Sequence, residues 1–250
     1  MTTAPIAILG GGPVGLTLAL LLARRRVPSV VVDARGLDDA RRDRRLLALS
    51  RGTLDTLGTV VDLPSAALAP IRAVVVSSRG EFGRAVLDER EHGGQPLGAT
   101  IRYGDLVAAL DAACAGAPLV EVRRQCTATA VSQGPTAVDV HVSDGTKLAA
   151  AIAVNAEGAP AGGRTATARQ SALTGDVEVQ GPVAGTAFER FTRDGPLALL
   201  PLAGPAAGTA RPMSLVWCMP TAVAERREAL SDADLLAELQ AEFGDRNGRM

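Results

Sequence analysis

Aromatic residues are scarce in this 250-residue sequence: one tryptophan, four phenylalanines and a single tyrosine. Lysine plus arginine (26) almost cancels aspartate plus glutamate (27). A chain that binds nucleic acid needs a basic surface, and single strands also need rings for the bases to stack on. Neither is present, which excludes nucleic acid as a partner. Histidine is scarcer still. His92 and His141 are the only two, and neither stands at ligand spacing from a cysteine or from the other, so no metal site is expected. Cys114, Cys126 and Cys218 are odd in number and widely spaced. They read as free thiols of a reducing compartment, which points to the cytoplasm. Charge is missing from one long stretch, the roughly 22 residues of 2–23. A bilayer core needs about 20 apolar residues, but Pro5, Pro13 and Gly10, Gly11 and Gly12 interrupt any helix there. Arg24, Arg25 and Arg26 follow the apolar part instead of preceding it, which argues against a secretion signal. No transmembrane segment is expected.

What the stretch does contain is ILGGGPVGLTLALLLARRRVPSVVVDARG. It predicts a strand over 5–9, a G-x-G-x-x-G turn over 10–15, a helix over 16–26 ended by Pro28, and a buried strand over 29–32. The spacing has a chemical meaning. A helix N-terminus offers backbone N–H groups to a pyrophosphate. Gly10 permits the turn, Gly12 lets phosphate approach the backbone, and Gly15 lets helix and strand pack closely. Asp33 falls 18 positions after Gly15, where an acid can hold the two ribose hydroxyls. Its charge would repel a 2′-phosphate, so the crevice suits the adenosine of FAD or NAD better than that of NADP.

Beyond it, the charge run 38–45 reads as a solvated loop or helix end. Helical spacing resumes over 46–57. Segments 72–78 and 82–88 read as a hairpin turning at Arg79-Gly80. A helix is expected over 105–115, and a three-stranded meander over 126–131, 137–142 and 147–154, with a turn at Asp144-Gly145. No internal repeat is visible, and the length suits one or two domains.

Three strings carry a resemblance: GGGPVG with VVVDAR, DRRLLALS, and AVNAEG after the meander. Together they resemble the FAD-dependent aromatic hydroxylases of the para-hydroxybenzoate hydroxylase type. The stretch GTAFERFTRDGPLALLPL, then SLVWCMP and ELQAEFG, is similar to the ubiquinone-biosynthesis hydroxylases of the 2-octaprenyl-6-methoxyphenol hydroxylase kind. The resemblance runs from Pro5 to the end. It implies an α/β fold with a Rossmann-like FAD-binding domain over 1–170, made of a βαβ unit and the meander, whose hairpin near 71–90 faces the substrate domain. A partial mixed-sheet substrate domain is implied over 171–250.

For the site, the resemblance implies that Gly10, Gly12, Pro13, Val14 and Gly15 line the FAD pyrophosphate. Asp33, with Ala34 and Arg35 after it, would bind the adenosine side. Asp43, Arg45, Ala48 and Leu49 meet the family's D-x-R-x-x-A-L, so Arg45 either turns toward the flavin or stays solvated with its neighbours. Glu157 and Gly158 stand in the second fingerprint, where this chain has Ala156, Glu157, Gly158, Ala161 and Arg164 against the family's A-D-G-x-x-S-x-x-R. Arg102 and Tyr103, before the helix of 105–115, stand near a position that contacts the cofactor in the family; the family commonly has an acid where Arg102 stands, so no contact is assigned there. Leu197, Leu199 and Leu200 stand equally as pocket lining and as core.

The activity implied is an NAD(P)H- and O2-dependent monooxygenation of a lipophilic, polyprenylated phenol. Peripheral contact with the inner face of the cell membrane, or with a ubiquinone-biosynthesis complex, goes with it. The family's third FAD fingerprint is not found before Met250. The expectation is therefore an N-terminal portion of a longer protein or a prematurely ended chain, with the sheet of 188–219 short of partner strands and covering helices. The alternative reading is a catalytically inactive fragment that binds an adenine dinucleotide, or nothing, without turnover. An NAD-dependent reductase is the weaker alternative, because Tyr103 is followed four positions later by Val107 where the short-chain kind needs lysine.

Overall fold

The structure is a computed structural model that describes residues 4–158, 168–181, 183–205, 209–244 and 250. The uncharged run folds as β1 (Ile6–Leu9), a glycine turn and α1 (Pro13–Arg24). The helix begins at Pro13 instead of 16, because proline at the first helical position loses no needed N–H. It ends at Arg24, so only one of the three arginines sits in its last turn, and Arg26 lies in the left-handed region at φ 59°. Next come β2 (Ser29–Asp33), α2 (Leu37–Arg41), β3 (Leu46–Ser50) and α3 (Arg51–Leu57). The chain continues through β4 (Ala69–Ile71), β5 (Ala73–Ser78), β6 (Arg84–Asp88), β7 (Gly98–Arg102), α4 (Tyr103–Ala115) and β8 (Val120–Arg124). Then follow β9 (Ala128–Gln133), β10 (Val138–Val142), β11 (Lys147–Ala150) and β12 (Ile152–Asn155). The last part holds β13 (Gln170–Gln180), β14 (Thr186–Phe191), β15 (Pro196–Pro201), β16 (Ala210–Pro220), α5 (Thr221–Glu228) and α6 (Asp232–Phe243).

Two expectations fail for one reason, namely that partners distant in sequence choose the conformation. The single helix expected over 46–57 is a strand followed by a short helix. Leu46–Ser50 is claimed by β7, in a three-stranded sheet ordered β3-β7-β4. The expected third meander strand, 147–154, is two strands. β11 stays in the meander, whereas β12 leaves it and pairs parallel with β1, Ile152 opposite Ile6. The Ala151 N–H donates to the Pro5 carbonyl at 2.9 Å and fixes the switch.

Contacts divide the chain into two discontinuous units. The first takes Met1–Arg45, Asp55–Pro64 and Arg102–Arg164; the second takes Leu46–Leu54, Ser65–Ile101 and Thr165–Met250. The hairpin of β5 and β6 belongs by its contacts to the second.

The first unit is layered. Its parallel sheet has the order β12-β1-β2-β8. Strand alternation sends Ala7, Leu9, Val30 and Val32 toward Val140, Val142 and Ala150 of the meander. Ile8 and Val31, both fully buried, face the other way, toward α1 and α4. Leu16, Ala19, Leu106 and Leu110 are buried there, and a buried leucine contributes about 1.5–3 kcal/mol. Cys114 closes this layer with its thiol toward the Leu16 carbonyl. Burial, aided by Asp111, pushes that thiol up to about 12, which leaves it an inert core group.

The second unit is built on a six-stranded sheet of order β13-β16-β15-β14-β5-β6. Its pairs are antiparallel except β14 with β5, which run parallel. One face is covered by α5 and α6. Phe188, Leu197, Leu199, Leu215, Trp217 and Met219 meet Leu239 and Phe243 there, and the rings of Phe188 and Phe243 meet edge to face at 5.6 Å. Leu197 and Leu199 are therefore core, and Leu200 points away from it. The strands of 188–219 thus do have neighbours and covering helices within this chain, against the expectation. The edge strand β6 still leaves Val86 and Leu87 nearly half exposed. Thr100 of β7 donates its hydroxyl to the Pro201 carbonyl at 2.5 Å and ties the small sheet to the large one.

Candidate dinucleotide site

The first unit places its chemistry where β1, β2 and β12 end. Gly10 leaves β1 with φ 111°, a conformation that only glycine adopts without strain. A Cβ there would also sit 2.5 Å from the Ala156 carbonyl oxygen. A Cβ on Gly15 would run into the Gly10 carbonyl, so both glycines are required by close approach.

Gly12 is the N-cap of α1 and supplies no side-chain cap. No acid stands in the first turn of this helix. The first-turn N–H groups of Val14 and Gly15 thus have no intrahelical acceptor and carry the positive end of the dipole. The backbone at Gly12 is flush with the cavity floor, since an added Cβ would lie 3.0 Å from the Tyr103 hydroxyl.

The central glycine is gripped on both sides. Gly11 N–H donates to Asp33 Oδ2 at 2.5 Å, and the Gly11 carbonyl accepts from Arg124 Nη2 at 3.3 Å. Arg124, paired across the strands with Asp33, is itself anchored by Asp111 at 2.6 Å. Its Nη1 is buried without a hydrogen-bond partner among the described residues. The other Asp33 oxygen, Oδ1, accepts the Arg35 N–H at 2.7 Å. Asp33 is thus buried and shaped by two backbone donors, with lone pairs left on both oxygens for hydroxyl donors.

A cavity of about 480 Å³ lies over this frame. Gly10, Gly12, Pro13 and Val14 line one side of it, and Asp33, Ala34 and Arg35 another. Arg45, Glu157 and Gly158 complete the predicted set; Gly15 lies behind the turn instead of in the lining. Glu157 donates its N–H to Asn155 Oδ1 at 3.0 Å, and its residue is exposed. Ala161 and Arg164 of the second fingerprint lie outside the described residues.

Two lining residues were not assigned from sequence, Ala156 and Tyr103. Tyr103 organises the cationic wall. Arg35 Nη2 donates to its hydroxyl at 2.6 Å. The Arg35 and Arg45 guanidinium carbons lie 5.4 and 4.8 Å from the ring centre. Asp43 links the two arginines, at 2.6 Å from Arg45 and 3.8 Å from Arg35. The Arg45 hydrogen bonds hold the Asp43 carboxyl below the usual carboxylate range. The signal for Tyr103 in the sequence was its place beside Arg102, near a position that contacts the cofactor in the family. The charge run folds around this wall: Arg102 donates to the Arg44 carbonyl at 2.7 Å, and the Tyr103 N–H donates to the Arg45 carbonyl at 2.8 Å.

This arrangement fits the adenosine and pyrophosphate part of a dinucleotide, with hydroxyl acceptors on one side and N–H donors and guanidinium groups on the other. A family model described as an FAD binding domain matches residues 3–249. The chain belongs to this FAD-binding family. Among its relatives is the ubiquinone hydroxylase UbiL of Rhodospirillum rubrum, 30% identical over 98% of this chain and 58% of UbiL. The chain thus spans well under two thirds of that relative's length. Among solved structures, PqsL of Pseudomonas aeruginosa, described as a probable FAD-dependent monooxygenase, aligns with a TM-score of 0.72 at 15% identity, over 99% of this chain and 68% of PqsL. The p-nitrophenol 4-monooxygenase PnpA of Pseudomonas putida aligns with a TM-score of 0.67 at 17% identity, over 97% of this chain and 63% of PnpA. These likenesses establish the fold: a mixed α/β architecture shared with FAD-dependent monooxygenases.

Among the described residues, no helix is long and apolar enough to cross a membrane. No cluster of histidine, cysteine and acidic side chains among them has the makings of a metal site.

Proposed function

We propose that this chain carries the FAD-gripping half of an aromatic-ring monooxygenase that hydroxylates a polyprenylated phenol in ubiquinone biosynthesis, consuming NAD(P)H and O2. The observation that carries the reading is the uncapped start of α1 beside Asp33 and the Arg35–Tyr103–Arg45 wall, in a chain of the FAD-binding family. The phenol and the ubiquinone context are supported by the 30% identity to a ubiquinone hydroxylase.

In this reading Val14 donates its backbone N–H to the pyrophosphate, Gly12 lets the phosphate approach the backbone, and Asp33 accepts the ribose hydroxyls. Arg35 and Arg45 balance the phosphate charge, while Asp43 and Tyr103 keep them in place. FAD, when bound, would supply the redox chemistry. The second unit, with its broad sheet, serves the substrate. A polyprenyl tail partitions into lipid, so the working protein meets its substrate at the inner face of the membrane.

The test is direct. The purified chain should retain FAD through dialysis, read by flavin absorbance. It should also consume NAD(P)H in an O2-dependent manner when a prenylated phenol is added. Retained FAD without such consumption would assign this chain binding only. Retained NAD in place of FAD would assign it to a reductase.

A further inference from the structure

The large sheet of the second unit ends on β6. The Glu89 N–H donates to the Arg72 carbonyl at 2.8 Å, which fixes the residues that turn inward. Ala85 and Leu87 aim their N–H and C=O groups at β5, and Arg84, Val86 and Asp88 aim theirs away from it. Among the described residues no backbone group meets this outward row. Neither a proline nor a bulge blunts the strand, the usual protections of an edge. The opposite edge strand, β13, differs: it holds Asp176 and Glu178 and no cation, so it repels a copy of itself.

The side chains of β6 suit one occupant. Val86 stands opposite Val75, so the buried row of Leu215, Leu199, Phe188 and Val75 runs out on it at the edge. Val86 and Leu87 are 43% and 45% exposed, and Phe82 at the hairpin tip is 99% exposed. The strand begins with Arg84 and ends with Asp88. Arg84 shares a recess with Arg190 and Phe243, and among the described residues no acid meets its guanidinium. Asp88 is held by Arg90 at 2.8 Å and keeps further acceptor capacity. The sequence RAVLD is thus self-complementary about its valine. An antiparallel copy centred there sets Val86 against Val86, Arg84 against Asp88 in both directions, and Leu87 against Ala85. Each outward N–H then meets an outward C=O.

We propose that the β6 edge docks a second copy of this chain, strand against strand, about a two-fold axis through Val86. Such a contact closes on itself, so it makes dimers and not fibres. It continues the buried row of one sheet into that of its partner and gives Arg84 the acid it lacks. The paired strands are short, so the contact is small and the dimer forms and parts with concentration.

The experiment is sedimentation of the purified chain over a concentration range of about a hundredfold. The wild type should pass from monomer to dimer and stop there. Val86→Pro removes an outward N–H at the axis and no hydrogen bond to β5, so it should leave a folded monomer. Arg84→Glu sets acid against acid across the axis, and Asp88→Lys sets cation against cation. Each variant alone should dimerise at least about tenfold more weakly than the wild type. An equimolar mixture of the two should associate again, because each new charge then meets its opposite. A wild type that stays monomeric, or that grows beyond the dimer, would overturn the proposal. So would an undisturbed dimer in Val86→Pro, or a mixture that associates no better than its components. The wild-type arm and the mixture need no variant to be harmless to the fold, since a misfolded chain would not regain a defined dimer on mixing.

Discussion

Each unit holds an arginine in an ion pair, half-buried in the first and buried in the second, and the two are used differently. In the first unit Arg124 reaches from β8 to Asp111 and to the carbonyl of Gly11, so its charge holds backbone at the edge of a cavity. In the second, Arg227 of α5 lies over the ring of Trp217 at 3.9 Å and pairs with Glu238 at 2.9 Å and Asp194 at 3.5 Å. Only 4% of that residue is exposed. Glu242, which it also faces, is held in addition by Arg79. The contrast teaches that the same ion-pair chemistry shapes a binding surface when it ends on a turn and locks a core when it ends on side chains.

The largest expected effect breaks the core pair. Arg227→Ala leaves acids facing an apolar core, and losing one partner of a buried pair costs about 3–5 kcal/mol. Urea denaturation followed by Trp217 fluorescence should show that loss, with FAD affinity of the remaining folded protein unchanged. A fall in FAD affinity would erase the contrast between the units. Next comes Asp33→Ala, which strips the acceptor from the N–H groups of Gly11 and Arg35. At about 1–3 kcal/mol per unsatisfied buried group, FAD binding should weaken by at least about tenfold, as measured by fluorescence quenching on titration. Undiminished flavin retention would remove Asp33 from the site.

Arg124→Met sharpens the comparison from the other side. It should weaken FAD binding about tenfold, equivalent to about 1.4 kcal/mol, while Arg124→Lys restores part of it. A drop in stability with normal FAD affinity would make Arg124 a core residue like Arg227. The smallest effect is in pH. Hydrogen bonds from Arg226, and then from Arg227, hold Glu238 down to about 2 from its ordinary 4.5. Its depressed folded value means that its contribution is full above about pH 5 and disappears as pH falls through 2. Glu238→Gln should flatten that part of the acid-denaturation curve. An unchanged curve would show that the pair adds nothing.

Much of the first unit was legible because its rules are local. Gly10, Gly15, Pro13 and Asp33 act within one strand–turn–helix–strand, and spacing along the chain fixes their positions in space. Leu46–Ser50 shows the limit. Its leucines satisfy helical spacing, and only the presence of β7 about fifty residues later makes the segment a strand. The run 147–154 misled in the same way, because alternation looks alike in a meander and in a parallel sheet. Tyr103 and Arg124 carried no motif; each acquires its role by lying beside a turn remote from it in sequence.

The sequence by itself determined the nucleotide-gripping turn and its helix, since steric demands on glycine and proline operate between near neighbours. Tertiary structure alone decided which side chains hold that turn from behind, which leucines are core, and which strand is left at the edge of the large sheet. Those outcomes depend on pairing between strands far apart in the chain, and no local spacing records which strands will meet.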